Sequence, residues 1–296
     1  MEDDSILAGR SEKVRMRINS DFKILGFDSS YDDADIVVFG APFDGTVSYR
    51  PGSRFGPSAI RNESYGIETY SPYQDKDMTD IKAHDLGDLD LPFGDTLQAL
   101  RDIGDCARRI IRDRKKFIML GGEHLVTLPA VEAVLEAFPD LCIIHLDAHT
   151  DLRDDYLGVE LSHATVMRRV WEKVGDNRIW QYGIRSGERE EFLWARQHTF
   201  LTSFVLDGIE KAIREIGHRP VYLTIDLDVL DPSAFPGTGT PEHGGVTFRE
   251  LMAFLMKLAP LDIRAADLVE LAPHYDHSGI SIAAACKLLR ELAFIL

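Results

Sequence analysis

The sequence predicts a single-domain, three-layer α/β/α fold around a mainly parallel central sheet of about eight strands. Two observations predict the layers and a third places chemistry on them. Short apolar runs alternate with amphipathic stretches along the 296 residues, the pattern of strand–helix–strand units. The runs are nearly continuous in apolar side chains rather than alternating, as strands covered on both faces must be. Polar residues able to do acid–base or metal chemistry gather where several runs end, which is where ligands bind in open parallel sheets.

The chain opens on a polar, charged segment of about 12 residues. Strand-like runs follow at 35–43 (DIVVFGAPF), 117–121 (FIMLG), 141–146 (LCIIHL), 178–183 (RIWQYG), 221–225 (VYLTI) and 263–269 (IRAADLV). Weaker ones lie at 81–86 and 199–203. Residues 96–114 read as a helix, with Leu97, Leu100, Ile103, Ala107, Ile110 and Ile111 at helical spacing. A second helix opens at Thr247, where Thr247 and Glu250 match a capping box ahead of Leu251, Phe254, Leu255 and Leu258. A third closes the chain at 282–296. No repeat, low-complexity stretch or Pro/Ser linker divides the sequence, so 1–296 is read as one domain.

The chain carries 49 acidic and 33 basic residues, a net charge of −16. That charge repels nucleic-acid phosphates and anionic lipid, so neither is expected as a partner, whereas a small cation is compatible. Cys106, Cys142 and Cys286 form no C-x-x-C pair, and their odd number argues against a disulfide framework. There is no basic-then-apolar leader and no apolar stretch approaching about eighteen residues, so a soluble, cytoplasmic protein is expected.

The chemistry sits at three strand ends. The run 117–121 leads into Gly122-Glu123-His124, the run 141–146 into Asp147-Ala148-His149-Thr150-Asp151, and the run 221–225 into Asp226-Leu227-Asp228. Residues two apart in an extended chain face the same way, so Asp147, His149 and Asp151 can converge, as can Asp226 and Asp228. Any one segment alone is an ordinary turn or helix cap. Together with His124 they offer four carboxylates and two imidazoles, and four converging acids repel one another unless cations cancel them. Two divalent ions cancel four carboxylates. Carboxylate and imidazole without thiolate suit Mn²⁺, with zinc left open by ligand type. Two such ions about 3.5 Å apart share a water and make it a hydroxide nucleophile at neutral pH. His145 shares the parity of Asp147 but lies inside the apolar run, and reads as a core histidine or one that supports the ligands from behind. Asp231, ahead of Pro232, belongs to a turn.

In this order and spacing, Gly-Gly-Glu-His, Asp-Ala-His-Thr-Asp and Asp-Leu-Asp-Val-Leu-Asp-Pro resemble the arginase–agmatinase (ureohydrolase) family. The resemblance covers nearly the whole chain, including 48–57 (SYRPGSRFGP), 236–241 (PGTGTP) and 267–271 (DLVEL). It implies two Mn²⁺ per chain, the first held by His124, Asp147, Asp151 and Asp226, the second by Asp147, His149, Asp226 and Asp228, with Asp147 and Asp226 bridging. It implies that His163 shuttles protons and that Glu270 grips the substrate guanidinium. Asp151 would take a hydrogen bond from the bridging hydroxide as it attacks the guanidinium carbon. It further implies hydrolysis of agmatine to urea and putrescine, and a homo-oligomer, trimer or hexamer.

Arg153 departs from the arginase pattern, which has Asn two residues after the last aspartate of Asp-Ala-His-Thr-Asp, and this argues against arginine as substrate. The same arginine keeps guanidinobutyrate and guanidinopropionate open, with formiminoglutamate behind them. His243 has no assigned role. Two readings outside the hydrolase compete. One is a deacetylase-like enzyme, disfavoured because that group normally holds one zinc. The other is a silent, metal-binding homologue, disfavoured because all six ligands are intact.

Overall fold

The computed structural model describes residues 16–17 and 23–296, so the polar opening segment of about 12 residues lies outside the described residues. The strands are β1 (Met16–Arg17), β2 (Ile36–Ala41), β3 (Tyr70–Ser71), β4 (Lys76–Asp77), β5 (Ala83–Leu89), β6 (Lys116–Gly121), β7 (Cys142–Leu146), β8 (Ile179–Ile184), β9 (Phe200–Ser203), β10 (Pro220–Asp226) and β11 (Asp262–Val269). The helices are α1 (Gly56–Glu63), α2 (Thr96–Arg112), α3 (Thr127–Ala137), α4 (Val166–Val174), α5 (Arg189–His198), α6 (Ile209–Ile216), α7 (Phe248–Met256) and α8 (Ile280–Ile295). Among the described residues, nine strands form one sheet in the order β1-β5-β2-β6-β11-β10-β7-β8-β9, and β3 and β4 make a separate hairpin. Eight strands of the sheet run parallel. The two-residue β1 is the exception, lying antiparallel along β5.

The alternation of side chains along each strand explains why the runs are apolar throughout. Val37, Phe39, Phe117, Met119, Ile143 and Tyr222 enter a core under α2, α3 and α4. Their neighbours Val38, Ile118, Leu120, Ile144 and Leu223 enter a core on the opposite face, under α6, α7 and α8. A wholly buried side chain such as Phe117 contributes about 1.5–3 kcal/mol through burial. A polar residue at any of these positions would therefore face a helix layer rather than water.

Helix starts follow local chemistry. The Asp95 side chain accepts from Gln98 N at the start of α2, and Thr247 with Glu250 makes the expected capping box on α7. Asp231 lies in the expected turn, accepting from Ser233 N and Oγ. Boundaries moved where a neighbouring strand, rather than composition, decides the end. The weak run at 81–86 extends to Leu89 because β2 and β1 both pair with its far end. All three cysteines are free and buried. No helix of the described residues is long and apolar enough to cross a membrane.

The chain order matters for the site. After β6 the chain passes through α3 to β7, leaving a gap of two strands that β10 and β11 fill later. The C-terminal ends of the four adjacent strands β6, β11, β10 and β7 thus meet at one rim.

Candidate metal centre

The turn after β6 carries His124. It can approach the rim closely because of Gly122, where an added Cβ would sit 1.8 Å from the Phe43 carbonyl oxygen. Gly122 N donates to Ala41 O, Glu123 N to Phe43 O at 2.7 Å, and Glu270 N to Gly122 O at 2.9 Å. These bonds lock the ends of β2, β6 and β11 together.

Around His124 Nδ1 lie three carboxylate oxygens: Asp147 Oδ2 at 3.1 Å, Asp151 Oδ2 at 3.1 Å and Asp226 Oδ2 at 3.4 Å. A second group stands beside it. His149 Nδ1 is 3.1 Å from Asp228 Oδ2 and 3.4 Å from Asp147 Oδ1. Asp147 therefore gives one oxygen to each group. Asp226 Oδ1 accepts from Asp228 N at 2.9 Å, so its tie to the second group runs through that amide. All six predicted ligands come together at the rim.

The convergence arises differently from strand parity. β7 ends at Leu146, and Asp151 turns back with φ 53, in the left-handed region. Asp228 lies in a 3-10 turn after β10. Parity does hold for His145, whose Nε2 is 2.8 Å from Asp147 Oδ2. Its other nitrogen, Nδ1, accepts from Gln181 Nε2 at 3.1 Å. Gln181 Nε2 also donates to the Thr150 carbonyl oxygen at 2.9 Å, which can only accept and so fixes the amide orientation. An Nδ1 that accepts leaves Nε2 as the donor. His145 is thus neutral, donates to Asp147 and is buried out of reach of the cavity. Burial also lowers its pKa.

The residues fit bound metal, and His124 supplies the test. Its Nδ1 is buried and makes no hydrogen bond, although three carboxylate oxygens surround it. Its Nε2 is engaged with Thr224 Oγ1 at 3.0 Å. An imidazole held by one nitrogen, with the other aimed into a gap among carboxylates, is the arrangement of a metal ligand. Donors bound at right angles to one ion at about 2.1 Å stand about 3.0 Å apart, close to the spacing here. Titration of the acids agrees. Asp151 is pushed up to about 7 by burial and then by Asp147. Burial and the neighbouring acids hold Asp226 well above the carboxylate range. Burial opposes ionisation of Asp147 too, but the imidazoles of His124, His145 and His149 hold it well below that range. Four buried acids at one point call for cations.

A cavity of about 290 Å³ opens on this rim, lined by His149, Asp151, Asp226, His163 and Glu270. Glu270 is not a surface acid or helix cap. It follows directly on β11 with φ 64, is buried, and its Oε1 accepts from His124 N at 2.8 Å. His163 opens the 3-10 turn before α4, half-buried, with the Tyr156 ring edge-on at 5.6 Å. His243 is exposed in the loop after Glu242.

A model of the arginase family matches residues 34–295. An agmatinase of Bacillus subtilis is 47% identical over 266 residues, covering 88% of this chain and 92% of that protein. The chain belongs to the arginase family. Among solved structures, the agmatine ureohydrolase of Thermoplasma volcanium superposes with a TM-score of 0.84 at 35% identity, covering 92% of this chain and 93% of that one. The proclavaminate amidinohydrolase of Streptomyces clavuligerus gives 0.81 at 36%, covering 88% and 91%. Membership of the arginase family makes this chain a ureohydrolase and ends the deacetylase reading.

Three supporting residues of this arginase-family site escaped sequence reasoning. Gln181 meets His145 because β7 and β8 pair in that register. Arg185 grips the carbonyls of Asp228 at 2.7 Å and Glu242 at 2.8 Å, fixing the Asp228 turn. Thr46 reaches His163 from the loop after β2. Only Arg185, two residues past a strand run, carried any local signal.

Proposed function

We propose that this chain holds two manganese ions and hydrolyses agmatine to urea and putrescine, feeding polyamine synthesis. The observation that carries this reading is the doubled cluster, in which Asp147 turns one oxygen to His124 and the other to His149 beside a cavity lined by Glu270. His124, Asp147, Asp151 and Asp226 would hold the inner ion, and Asp147, His149, Asp226 and Asp228 the outer one. Such a pair of ions, when bound, lowers the pKa of a water between them and supplies hydroxide at neutral pH. Ligands without thiolate favour manganese over zinc.

The chain's own residues do the rest. The bond from His124 N fixes the Glu270 carboxylate in the cavity wall. Burial, then the charge of Glu123, hold Glu270 well above the carboxylate range, and a bound guanidinium restores its ionised form. Asp151 accepts a hydrogen bond from the attacking water and hands its proton to the leaving amine. His163 exchanges protons with solvent. Burial, then the charge of His149, push its pKa down to about 4, so the ring is neutral and able to accept.

Arg153 bears on the substrate. Its guanidinium stands 3.4 Å from Glu188 and 3.5 Å from Glu191, and its Cζ lies 4.6 Å from the Tyr156 ring centroid. Its charge is already answered, and the largely exposed Glu188 adds a negative group at the cavity edge. This favours the amine tail of agmatine over the carboxylate of guanidinobutyrate, guanidinopropionate or arginine. The agmatinase relative from Bacillus subtilis points the same way. Urea release with added Mn²⁺ across these four guanidines is the test. Preference for agmatine is expected; preference for arginine would overturn the substrate reading, and no urea from any would revive the silent homologue. A single domain over 1–296, a trimer or hexamer and cytoplasmic residence belong to the same proposal, and sedimentation of the intact protein checks the assembly.

A further inference from the structure

Thr46, on the loop after β2, touches both the turn that carries His124 and the imidazole of His163. Its Oγ1 donates to Glu123 Oε1, and its backbone N donates to Glu123 Oε2 at 2.8 Å. The amide of Val47 adds a third donor to the same carboxylate. Glu123 is fully buried, and its own N is tied to Phe43 O at 2.7 Å, so loop and turn are fastened from both sides. On its other side, Thr46 Oγ1 accepts from His163 N at 3.1 Å and lies 3.4 Å from His163 Nδ1.

A hydroxyl has one proton to give and two lone pairs to offer. Burial raises Glu123 to about 7 and the amides of Thr46 and Val47 pull it back toward the carboxylate, and in that form it takes the proton of Thr46. Toward His163 the hydroxyl has only lone pairs, one for the backbone N and one for Nδ1. The hydrogen of a neutral His163 ring must then sit on Nδ1. Nε2, on the far side of the ring from Thr46, is left bare.

We propose that Thr46 is a positioning residue that holds His163 as its Nδ1–H tautomer and so leaves Nε2 as the basic nitrogen available to the cavity. The kinetic consequence rests on the reading of His163 as the proton carrier, whereas the tautomer does not. A residue in this place acts on turnover rather than on binding, because Glu270 and the metal cluster, not His163, would hold the guanidine.

The test uses the manganese-loaded protein. Neutron diffraction from deuterium-exchanged crystals should show density for deuterium on His163 Nδ1 and none on Nε2. In Thr46→Val that Nδ1 occupancy should fall, and in Thr46→Ser it should return. In urea release from agmatine, Thr46→Val should lower kcat by about 10–100-fold with KM changed by less than about threefold, within the range for losing a positioned acid–base group. Thr46→Ser should recover most of the rate. Deuterium on Nε2 in the unaltered protein, or a serine variant as slow as the valine one, would overturn the proposal. His163→Asn separates the two readings. If it keeps full rate, the proton-carrier role fails, while the neutron map still decides the tautomer.

Discussion

The two halves of the metal cluster use the same side-chain types in opposite surroundings. The His124 side chain is 1% exposed, enclosed by Asp147, Asp151 and Asp226. The His149 side chain is 23% exposed and lines the cavity with Asp228 behind it. Asp151 and Asp226 of the inner group also border the cavity, but its imidazole is enclosed, so an ion held there would be the slower to exchange and one held at the outer group the nearer to solvent. Burial, not donor chemistry, is what distinguishes them, so the two ions should differ in exchange rate more than in preference for a given metal.

Breaking the shared element should cost most. Asp147→Asn removes the one carboxylate that turns an oxygen to each group. Loss of both ions by metal analysis is expected, with kcat/KM down by at least about 10³-fold, since each lost several kcal/mol of charge stabilisation compounds. His149→Asn should lose one ion and keep the other. Equal loss of both would remove the distinction drawn above.

The next effect comes from behind the inner group. Gln181→Leu frees His145 to turn away from Asp147. A fall in metal affinity of about 10–100-fold is expected, as for other residues that orient metal ligands. Isothermal titration with Mn²⁺ measures it, with circular dichroism to check folding.

Acidity should act more gently. Asp151 in the metal-free site titrates at about 7, and an ion binds only its ionised form. Its proton must leave on loading, as must those that the raised pKa values of Asp226, His124 and His149 retain, so apparent affinity should rise with pH through about 7 and beyond. Below that point it should fall by up to about tenfold per pH unit for this one proton. Affinities that are flat between about pH 6 and about pH 8 would contradict it.

The smallest change should come from Arg153→Ala, which leaves the cluster intact and frees Glu188 and Glu191. Loss of a partly exposed ion pair is worth under about 1 kcal/mol, so KM for agmatine should move by less than about fivefold. A gain of activity on guanidinobutyrate would show the arginine to be screening against carboxylates rather than receiving them.

The six converging side chains were legible because each sits where an apolar run stops, and apolar runs are visible in one dimension. The turn that brings Asp151 to His124 was not, since a left-handed non-glycine residue leaves no mark in composition. Glu270 has the same backbone signature; only family resemblance singled it out, and its bond from His124 N was not foreseen. Gln181 and Thr46 were invisible for a different reason. Their partners, His145 and His163, lie 36 and 117 residues away, and strand register or loop docking decides the match.

The order of strands carries a consequence for how the protein comes into being. β6 and β7 are synthesised early yet never pair, because the slot between them is reserved for β10 and β11. Until β10 and β11 have emerged, a nascent chain on the ribosome has two raw edges facing a void, and before β10 it lacks Asp226 and Asp228, half of the cluster's acids. Metal capture by the whole cluster would therefore wait for β10 and β11, and a translation product interrupted before them would offer exposed edges to its neighbours instead.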